Sequence, residues 1–362
     1  MKALAVVGEL GKTFVQKSRT EGTLPFIKNL MEKRYASLNL GLYALLPRSH
    51  RCWHRPIIVT IDTASVCNLK CTMCWARSMR PDRRGMMKFN DFVKIVGQFS
   101  PLAETISLSG AAGEPLLNPD LVNMIKYCKK IRMRPSVVTN GTLLDEDLSQ
   151  KMLKAGVDEI RISIDGATKR TFESIRIGAK FEKVTNNIRA LVEQKKKLHA
   201  VGTFVAMQMT VMEKNLKELP AMVKLASSLG VRDLVIGGLN ELAYPKRTHL
   251  KSFKGETPTD VWVTEIFRET RQIAKNSGVT LHIGKFDPCD AIWVHTYVTW
   301  DGYVTPCCWA PDPEEVNFGN VFEEKFSHIW NNHKYQNFRK SVYSNNPPSV
   351  CIGCPRLPSR FT

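Results

Sequence analysis

Long apolar runs are absent from the sequence. No segment approaches the roughly 18 consecutive apolar residues of a membrane span. The apolar start MKALAVVGEL is interrupted at Gly8-Glu9, before it could form the core of a signal peptide. These absences argue against a membrane-spanning helix and a secretory signal, and we expect the protein to stay in the cytoplasm.

Acidic residues are scarce relative to basic ones. Lys and Arg number 52 against 34 Asp and Glu, which gives a formal net charge of +18, and the eight histidines contain no HxxH pattern. Such a positive charge makes nucleic acid a candidate partner. The lysines, however, mostly lie at helical spacing beside apolar residues, as in 181–198, which is typical of a solvated helix face. We therefore do not expect nucleic acid as a partner, and anionic substrates or an anionic membrane surface stay open.

Residues 56–240 alternate short β-branched runs with amphipathic stretches. The runs predict six strands, at 56–62, 104–110, 134–140, 159–165, 201–209 and 233–239. The stretches between them are long enough for helices that cross over between parallel strands. The sequence therefore predicts an α/β fold, a partial (β/α)6 barrel of parallel strands whose functional loops gather at the carboxyl ends of the strands.

Three segments flank this predicted barrel. Residues 1–55 read as basic amphipathic helices that could lie on a membrane surface, bind an acidic partner or cap the barrel. Residues 241–280 read as a linker followed by a helix at 259–276. Residues 281–362 predict a small α+β module with a hairpin that turns at Asp301-Gly302 and a helix near 325–341.

Three cysteines follow the first predicted strand in the segment SVCNLKCTMCWA. Ten cysteines in a cytoplasmic chain are more often metal ligands, catalytic groups or free thiols than disulfides. Cys67, Cys71 and Cys74 supply three thiolates, whereas a structural zinc site wants four ligands. A 4Fe-4S cube fits better, because three thiolates leave the fourth iron open for a small chelating molecule. A zinc site completed by a remote residue is the alternative.

This loop, with the GEP element of SGAAGEP and with SIDG after the fourth strand, resembles the radical S-adenosylmethionine (radical SAM) superfamily over about residues 56–240. The resemblance implies that the open iron chelates SAM, and that its reductive cleavage yields a 5′-deoxyadenosyl radical that removes a substrate hydrogen. It also implies contacts to SAM: Gly113 and Glu114 at the methionyl amine, Ser163 and Asp165 at the ribose, and Met73 at the adenine. An ordinary turn residue before Gly166 is the alternative for Asp165.

Four cysteines of the last module resemble the ligands of an auxiliary 4Fe-4S cluster in a twitch or SPASM domain: Cys289, Cys307, Cys351 and Cys354. Four thiolates would close such a cluster, so electron transfer or a structural role is implied; a zinc knuckle is the alternative. Cys308 is left over beside a ligand. It could return a hydrogen atom to a substrate radical as a catalytic thiol, or it could simply pack.

Several functions remain open on this basis. The chain resembles the 2-deoxy-scyllo-inosamine dehydrogenase type, which predicts oxidation of a sugar-like substrate with the auxiliary cluster as electron acceptor. Epimerisation through Cys308 and maturation of a peptide are alternatives, and a basic metal protein that binds RNA is an alternative of another class. The expected partners are SAM, a small-molecule or peptide substrate that is anionic in some of these cases, and a reductant such as flavodoxin or ferredoxin.

Overall fold

The computed structural model describes residues 38–45, 48–74, 79–100, 102–111, 113–238, 261–283, 289–352 and 354. Within them, a nine-stranded sheet has the strand order β7-β6-β5-β4-β3-β2-β1-β8-β9. Residues 1–37 of the basic segment, 239–240 at the end of the predicted barrel and 241–260 of the linker lie outside the described residues, but a helix, α1, covers 38–45. None of the helices in the described ranges is long and apolar enough to cross a bilayer.

The six predicted strands form six consecutive strands of this sheet. They are β1 (Ile58–Ile61), β2 (Thr105–Ser107), β3 (Arg134–Thr139), β4 (Glu159–Ser163), β5 (Phe204–Val211) and β6 (Asp233–Gly238). Each pairs in parallel with the next, which confirms the α/β fold with parallel strands. Their side chains are largely buried, because helices cover the sheet.

The predicted crossover helices are also present. They are α2 (Phe89–Val96), α3 (Leu121–Lys130), α4 (Glu146–Ala155), α5 (Lys169–Ile175), α6 (Phe181–Lys197) and α7 (Leu219–Ser228). Each buries its apolar residues and leaves most of its charged residues towards solvent. The lysines at the end of α6 are of this second kind, which agrees with the solvated-face interpretation of 181–198.

Two strands from later in the chain extend the sheet at its two edges. After α8 (Val261–Ser277), β7 (Thr280–Ile283) pairs in parallel with β6. After the short helix α9 (Ala291–Val294), β8 (His295–Val298) pairs in parallel with β1. The hairpin predicted in the last module is formed by β8 and the antiparallel β9 (Val304–Thr305), and Gly302 in its turn has φ +91°, which a glycine adopts without strain.

The helix predicted near 325–341 is divided in two. The structure has α10 (Phe326–Ile329) and α11 (His333–Val342), because the side chain of Asn332 accepts a hydrogen bond from the Tyr335 backbone N–H and caps a new helix. The indole of Trp330 donates to the carbonyl oxygen of His54 (2.7 Å), which attaches these helices to the chain just before β1.

Candidate active site at the carboxyl ends of the strands

The loops that follow β1 to β4 all leave the same edge of the sheet, because these strands are parallel. They carry the cysteine loop, the GEP element, the segment Thr139-Asn140-Gly141 and the segment Ser163 to Gly166. The structure thus brings four separate stretches to one mouth, among them the cysteine loop, the GEP element and the SIDG segment that the sequence analysis singled out.

The cysteine loop is hydrogen-bonded to the end of α5 and to the residues that follow it. The backbone N–H groups of Lys70 and Thr72 donate to the carbonyl oxygens of Ile177 and Ile175, each at 2.9 Å. Cys71 is buried, and Cys67 and Cys74 are partly exposed. Burial, together with the neighbouring thiols of Cys74 and Cys67, raises the pKa of Cys71 to about 12. The three thiols therefore lie close enough to interact electrostatically.

Asn140 connects the loop after β3 to the first cysteine. Its side-chain amide lies 3.8 Å from the sulfur of Cys67 and donates to the side chain of Asn68 at 2.9 Å, while its oxygen accepts from the Thr142 backbone N–H at 2.9 Å. An N–H group directed at the sulfur of a predicted ligand is one way to adjust an iron-sulfur cluster.

Glu114 is buried, and its carboxylate is hydrogen-bonded to neighbouring residues of the same chain. It accepts hydrogen bonds from the Thr139 hydroxyl (2.6 Å) and from the backbone N–H groups of Asn140 (2.7 Å) and Leu116 (3.1 Å). Burial raises its pKa, and these hydrogen bonds oppose that rise. Glu114 therefore holds the loops after β2 and β3 together.

Gly113 is required by its surroundings. A methyl group there would overlap the carbonyl oxygen of Ala64, which belongs to the loop that leads to the cysteines. The next residue, Glu114, donates its backbone N–H to the Val66 carbonyl oxygen at 2.8 Å. The glycine thus allows two backbones to approach closely at the mouth.

Asp165 is completely buried and pairs with a buried arginine that the sequence did not single out. Its carboxylate lies 2.7 Å from the Arg176 guanidinium and accepts from the Thr210 backbone N–H, also at 2.7 Å. Arg176 follows α5 and also interacts electrostatically with the thiols of Cys71 and Cys74. A fixed cation therefore lies beside the cysteine loop. No sequence motif distinguishes Arg176 from the other arginines, because its burial depends on tertiary contacts.

The last two residues predicted to contact SAM, Met73 and Ser163, lie in ordinary structural positions. Met73 is buried within the hydrophobic core, and Ser163 ends β4 half-buried, paired with Gln208 of β5. Their contacts with the adenine and the ribose of SAM stay predictions.

The four cysteines predicted for the auxiliary cluster form a connected group. Cys289 interacts with both Cys307 and Cys351, and Cys351 also interacts with Cys354. Burial is the largest cause that raises the pKa of Cys351 to about 12, and the two neighbouring thiols add to it. Cys308 is exposed, in contrast to Cys307, and interacts with the phenol of Tyr297.

A cavity of about 130 Å³ opens between the end of β1, the segment 79–83 and the segment 311–314. Its wall includes Asp62 and Tyr297, from the ends of β1 and β8. Asp62 is 3% exposed and accepts a hydrogen bond from the Ser65 hydroxyl, and the Ala64 backbone N–H and the Tyr297 phenol also interact with its carboxylate. Burial raises the pKa of Asp62 to about 6. Sequence reasoning missed this carboxyl, although it directly precedes the cysteine loop.

Each group of thiols is compatible with a 4Fe-4S cluster. In the described part of the chain, no three His, Cys, Asp or Glu side chains converge on a position for one metal ion. A 4Fe-4S cube attaches each thiolate to a different iron, so its ligands need not converge in that way. Three interacting thiols at the mouth and four in the last module match in number the thiolates that an open and a closed cube would take.

The fold and these two thiol groups define an iron-sulfur enzyme built on a partial barrel. The model of the radical SAM superfamily matches residues 61–226, and that of SPASM, an iron-sulfur cluster-binding domain, matches residues 289–355. The chain is thus a radical SAM enzyme with a SPASM domain. The predicted iron-sulfur clusters and SAM are confirmed as cofactors by these domains. The ligand assignments, the reductant and the membrane contact stay predictions.

Known proteins are similar over most of the chain. The tungsten-containing aldehyde ferredoxin oxidoreductase cofactor-modifying protein of Pyrococcus furiosus is 27% identical over 81% of this chain and 86% of its own length. The PqqA peptide cyclase of Gluconobacter oxydans is 24% identical over 83% of each chain. The structure of Streptococcus suis SuiB bound to S-adenosylmethionine has a TM-score of 0.66 at 14% identity, covers 98% of this chain and 81% of SuiB, and shows the same fold.

Proposed function

We propose that this radical SAM enzyme oxidises its substrate by two electrons at a carbon that bears an ionisable hydroxyl or amide group. The observation that carries the proposal is Asp62, a buried carboxyl in the wall of a cavity at the mouth of the barrel. A two-electron oxidation of this kind releases one hydrogen atom, one proton and one electron from the substrate. Asp62 is placed to accept the proton, and a pKa near 6 suits a proton acceptor at neutral pH.

Cys67, Cys71 and Cys74 would hold the SAM-binding cluster, and Cys289, Cys307, Cys351 and Cys354 the auxiliary one. When bound, these clusters and SAM supply the reducing electron, the 5′-deoxyadenosyl radical that takes the hydrogen atom, and an acceptor for the electron left on the substrate.

The chain's own residues position these groups. Arg176 places a cation beside the thiols of Cys71 and Cys74, where it favours an anionic cluster and the carboxylate of SAM. Asp165 orients Arg176, and Gly113 and Glu114 shape the backbone beside the cysteine loop. Met73 and Ser163 complete the SAM site as the resemblance implies.

Epimerisation is a second candidate, and the position of Cys308 favours it. This thiol is exposed and interacts with Tyr297, which lines the cavity. A thiol there could return a hydrogen atom to the substrate radical instead of allowing its oxidation. In either proposal the substrate is a small molecule or a peptide. One relative is named for the modification of a cofactor and another for the cyclisation of a peptide, so both substrate classes have support.

The first experiment measures cofactors and SAM cleavage. Anaerobically reconstituted protein should bind about eight irons per chain, four for each cluster, and with dithionite it should convert SAM to 5′-deoxyadenosine. Cys71→Ala should abolish that conversion. Cys351→Ala should lose the auxiliary cluster and keep the other, and the control Cys128→Ala, at a buried thiol of α3, should keep both. Zinc in place of iron, with no 5′-deoxyadenosine formed, would overturn the proposal.

The second experiment separates oxidation from epimerisation once a substrate is turned over in D2O. A thiol exchanges its hydrogen with solvent, so epimerisation places deuterium in the product and Cys308→Ala removes that label. Oxidation predicts a product that is two electrons more oxidised, retained turnover in Cys308→Ala and loss of product in Asp62→Asn. Full turnover in Asp62→Asn would remove Asp62 from the mechanism.

A further inference from the structure

Arg339 is a charged side chain in the interior of the last module. It lies on α11, is 2% exposed, and its guanidinium lies 4.2 Å from the ring centre of Trp330 and 4.1 Å from that of Tyr335. It donates to the carbonyl oxygens of Ile292 (3.0 Å) and Trp330 (2.8 Å). These aromatic faces and carbonyl oxygens partly replace the water that the cation has lost.

The charge of Arg339 is not balanced by the described part of the chain. No Asp or Glu there forms an ion pair with it, and its Nη2 has no hydrogen-bond partner among those residues. The two acidic groups that interact with it are Cys52 and the phenol of Tyr335. Burial raises the pKa of Cys52 to about 11 and also raises that of Tyr335, so both are neutral at pH 7. A buried cation without an anion is unfavourable, and arginine does not lose its proton.

The helix face that carries Arg339 adjoins the predicted auxiliary ligands. Tyr335, Arg339 and Tyr343 are four residues apart and share one face of α11 and its C-terminal end. The phenol of Tyr335 interacts electrostatically with Cys307, and the hydroxyl of Tyr343 donates to the carbonyl oxygen of Cys289. The carbonyl of Ile292 that Arg339 binds follows Cys289 by three residues.

We propose that Arg339 is the buried counter-cation of the auxiliary cluster and raises its reduction potential. This inference rests on the proposed function, in which four thiolates hold that cluster. A cube with four thiolates is an anion in both oxidation states and more negative when reduced, so a fixed cation in the same dry interior stabilises the reduced state more. By raising the reduction potential, Arg339 makes the auxiliary cluster a better electron acceptor. It acts as a positioning residue and touches no substrate.

The test is an EPR-monitored redox titration of the reconstituted full chain. Arg339→Met and Arg339→Gln remove the charge, Arg339→Lys keeps it, and Lys340→Gln removes an exposed charge from the next position of the same helix. We expect the auxiliary cluster to titrate at a more negative potential in both neutral variants. Arg339→Lys should restore most of the shift, and Lys340→Gln should match the unmodified chain. The SAM-binding cluster in the same sample is the reference and should not shift.

Each result decides the matter. A neutral variant that keeps both clusters at unchanged potentials overturns the inference. If the neutral variants lose only the auxiliary iron and Arg339→Lys keeps it, the charge is required and the inference stands. If all three Arg339 variants lose that iron, the role is packing and the inference fails. Absence of an auxiliary cluster from the unmodified chain would instead refute the proposed function, on which this inference depends.

Discussion

The buried pair of Asp165 and Arg176 allows a quantitative test of how the mouth of the barrel is held together. In Asp165→Ala, Arg176 would keep its charge in a site where its side chain is 9% exposed, and the Thr210 backbone N–H would lose its acceptor. Removal of one partner of a buried ion pair typically costs about 3–5 kcal/mol. We expect a loss of that size in the free energy of unfolding, measured by urea titration under anaerobic, reducing conditions.

The chain offers a matched control in Lys169 and Glu182, which form an ion pair of 2.8 Å with side chains 60% and 58% exposed. Glu182→Ala should leave the urea midpoint unchanged, because water screens an exposed pair. The double variant Asp165→Ala/Arg176→Met should be more stable than Asp165→Ala alone, because it removes the unpaired charge. Equal effects of Asp165→Ala and Glu182→Ala, or a double variant no more stable than Asp165→Ala, would refute this account of the pair.

Three further predictions concern the loops at the mouth. Gly113→Ala should prevent assembly of the SAM-binding cluster, seen as loss of about four irons per chain, because the added methyl overlaps the Ala64 carbonyl oxygen; an unchanged iron content would contradict this. Asn140→Ala should shift the potential of that cluster in an EPR titration and leave the auxiliary cluster unchanged, because it removes the amide 3.8 Å from the Cys67 sulfur. The folded-state pKa of Asp62 is raised from 3.8 to about 6, so its contribution to stability falls as pH rises from about 4 to 6. Asp62→Asn should therefore gain stability relative to the unmodified chain over that range, by about 3 kcal/mol at most above pH 6; a constant difference between the two chains across the range would refute this.

The repeating part of the fold could be predicted from the sequence. Each of the six strands appears as a β-branched run, and each crossover helix has an apolar stripe of its own, so local pattern and tertiary structure agree. The pairing of β8 with β1 could not be predicted. Four residues, His295 to Val298, acquire their neighbour through contacts more than 230 positions apart, and no local pattern encodes such a partner.

The residues of the candidate site also fall into those that could be predicted from the sequence and those that could not. The cysteines and the GEP element have fixed spacings, and the structure brings them to one mouth. Arg176, Arg339 and Asp62 gain their significance only from burial, since an arginine or aspartate in a sequence is most often exposed. The division of the helix predicted at 325–341 depends on the side chain of Asn332, whose capping hydrogen bond the apolar periodicity does not show.

The register of β8 along β1 also limits how the chain can be divided. Ile58 to Thr60 pair on one side with β2, and Ile58 to Ile61 pair on the other side with residues His295 to Val298. A fragment that ended before residue 289 would leave β1 as an exposed edge strand. Its unpaired amide and carbonyl groups could then pair with β1 of a second molecule. Expression of the first domain alone should therefore give intermolecular strand addition and precipitation, and the two matched domains should stay in solution only when they are produced as one chain.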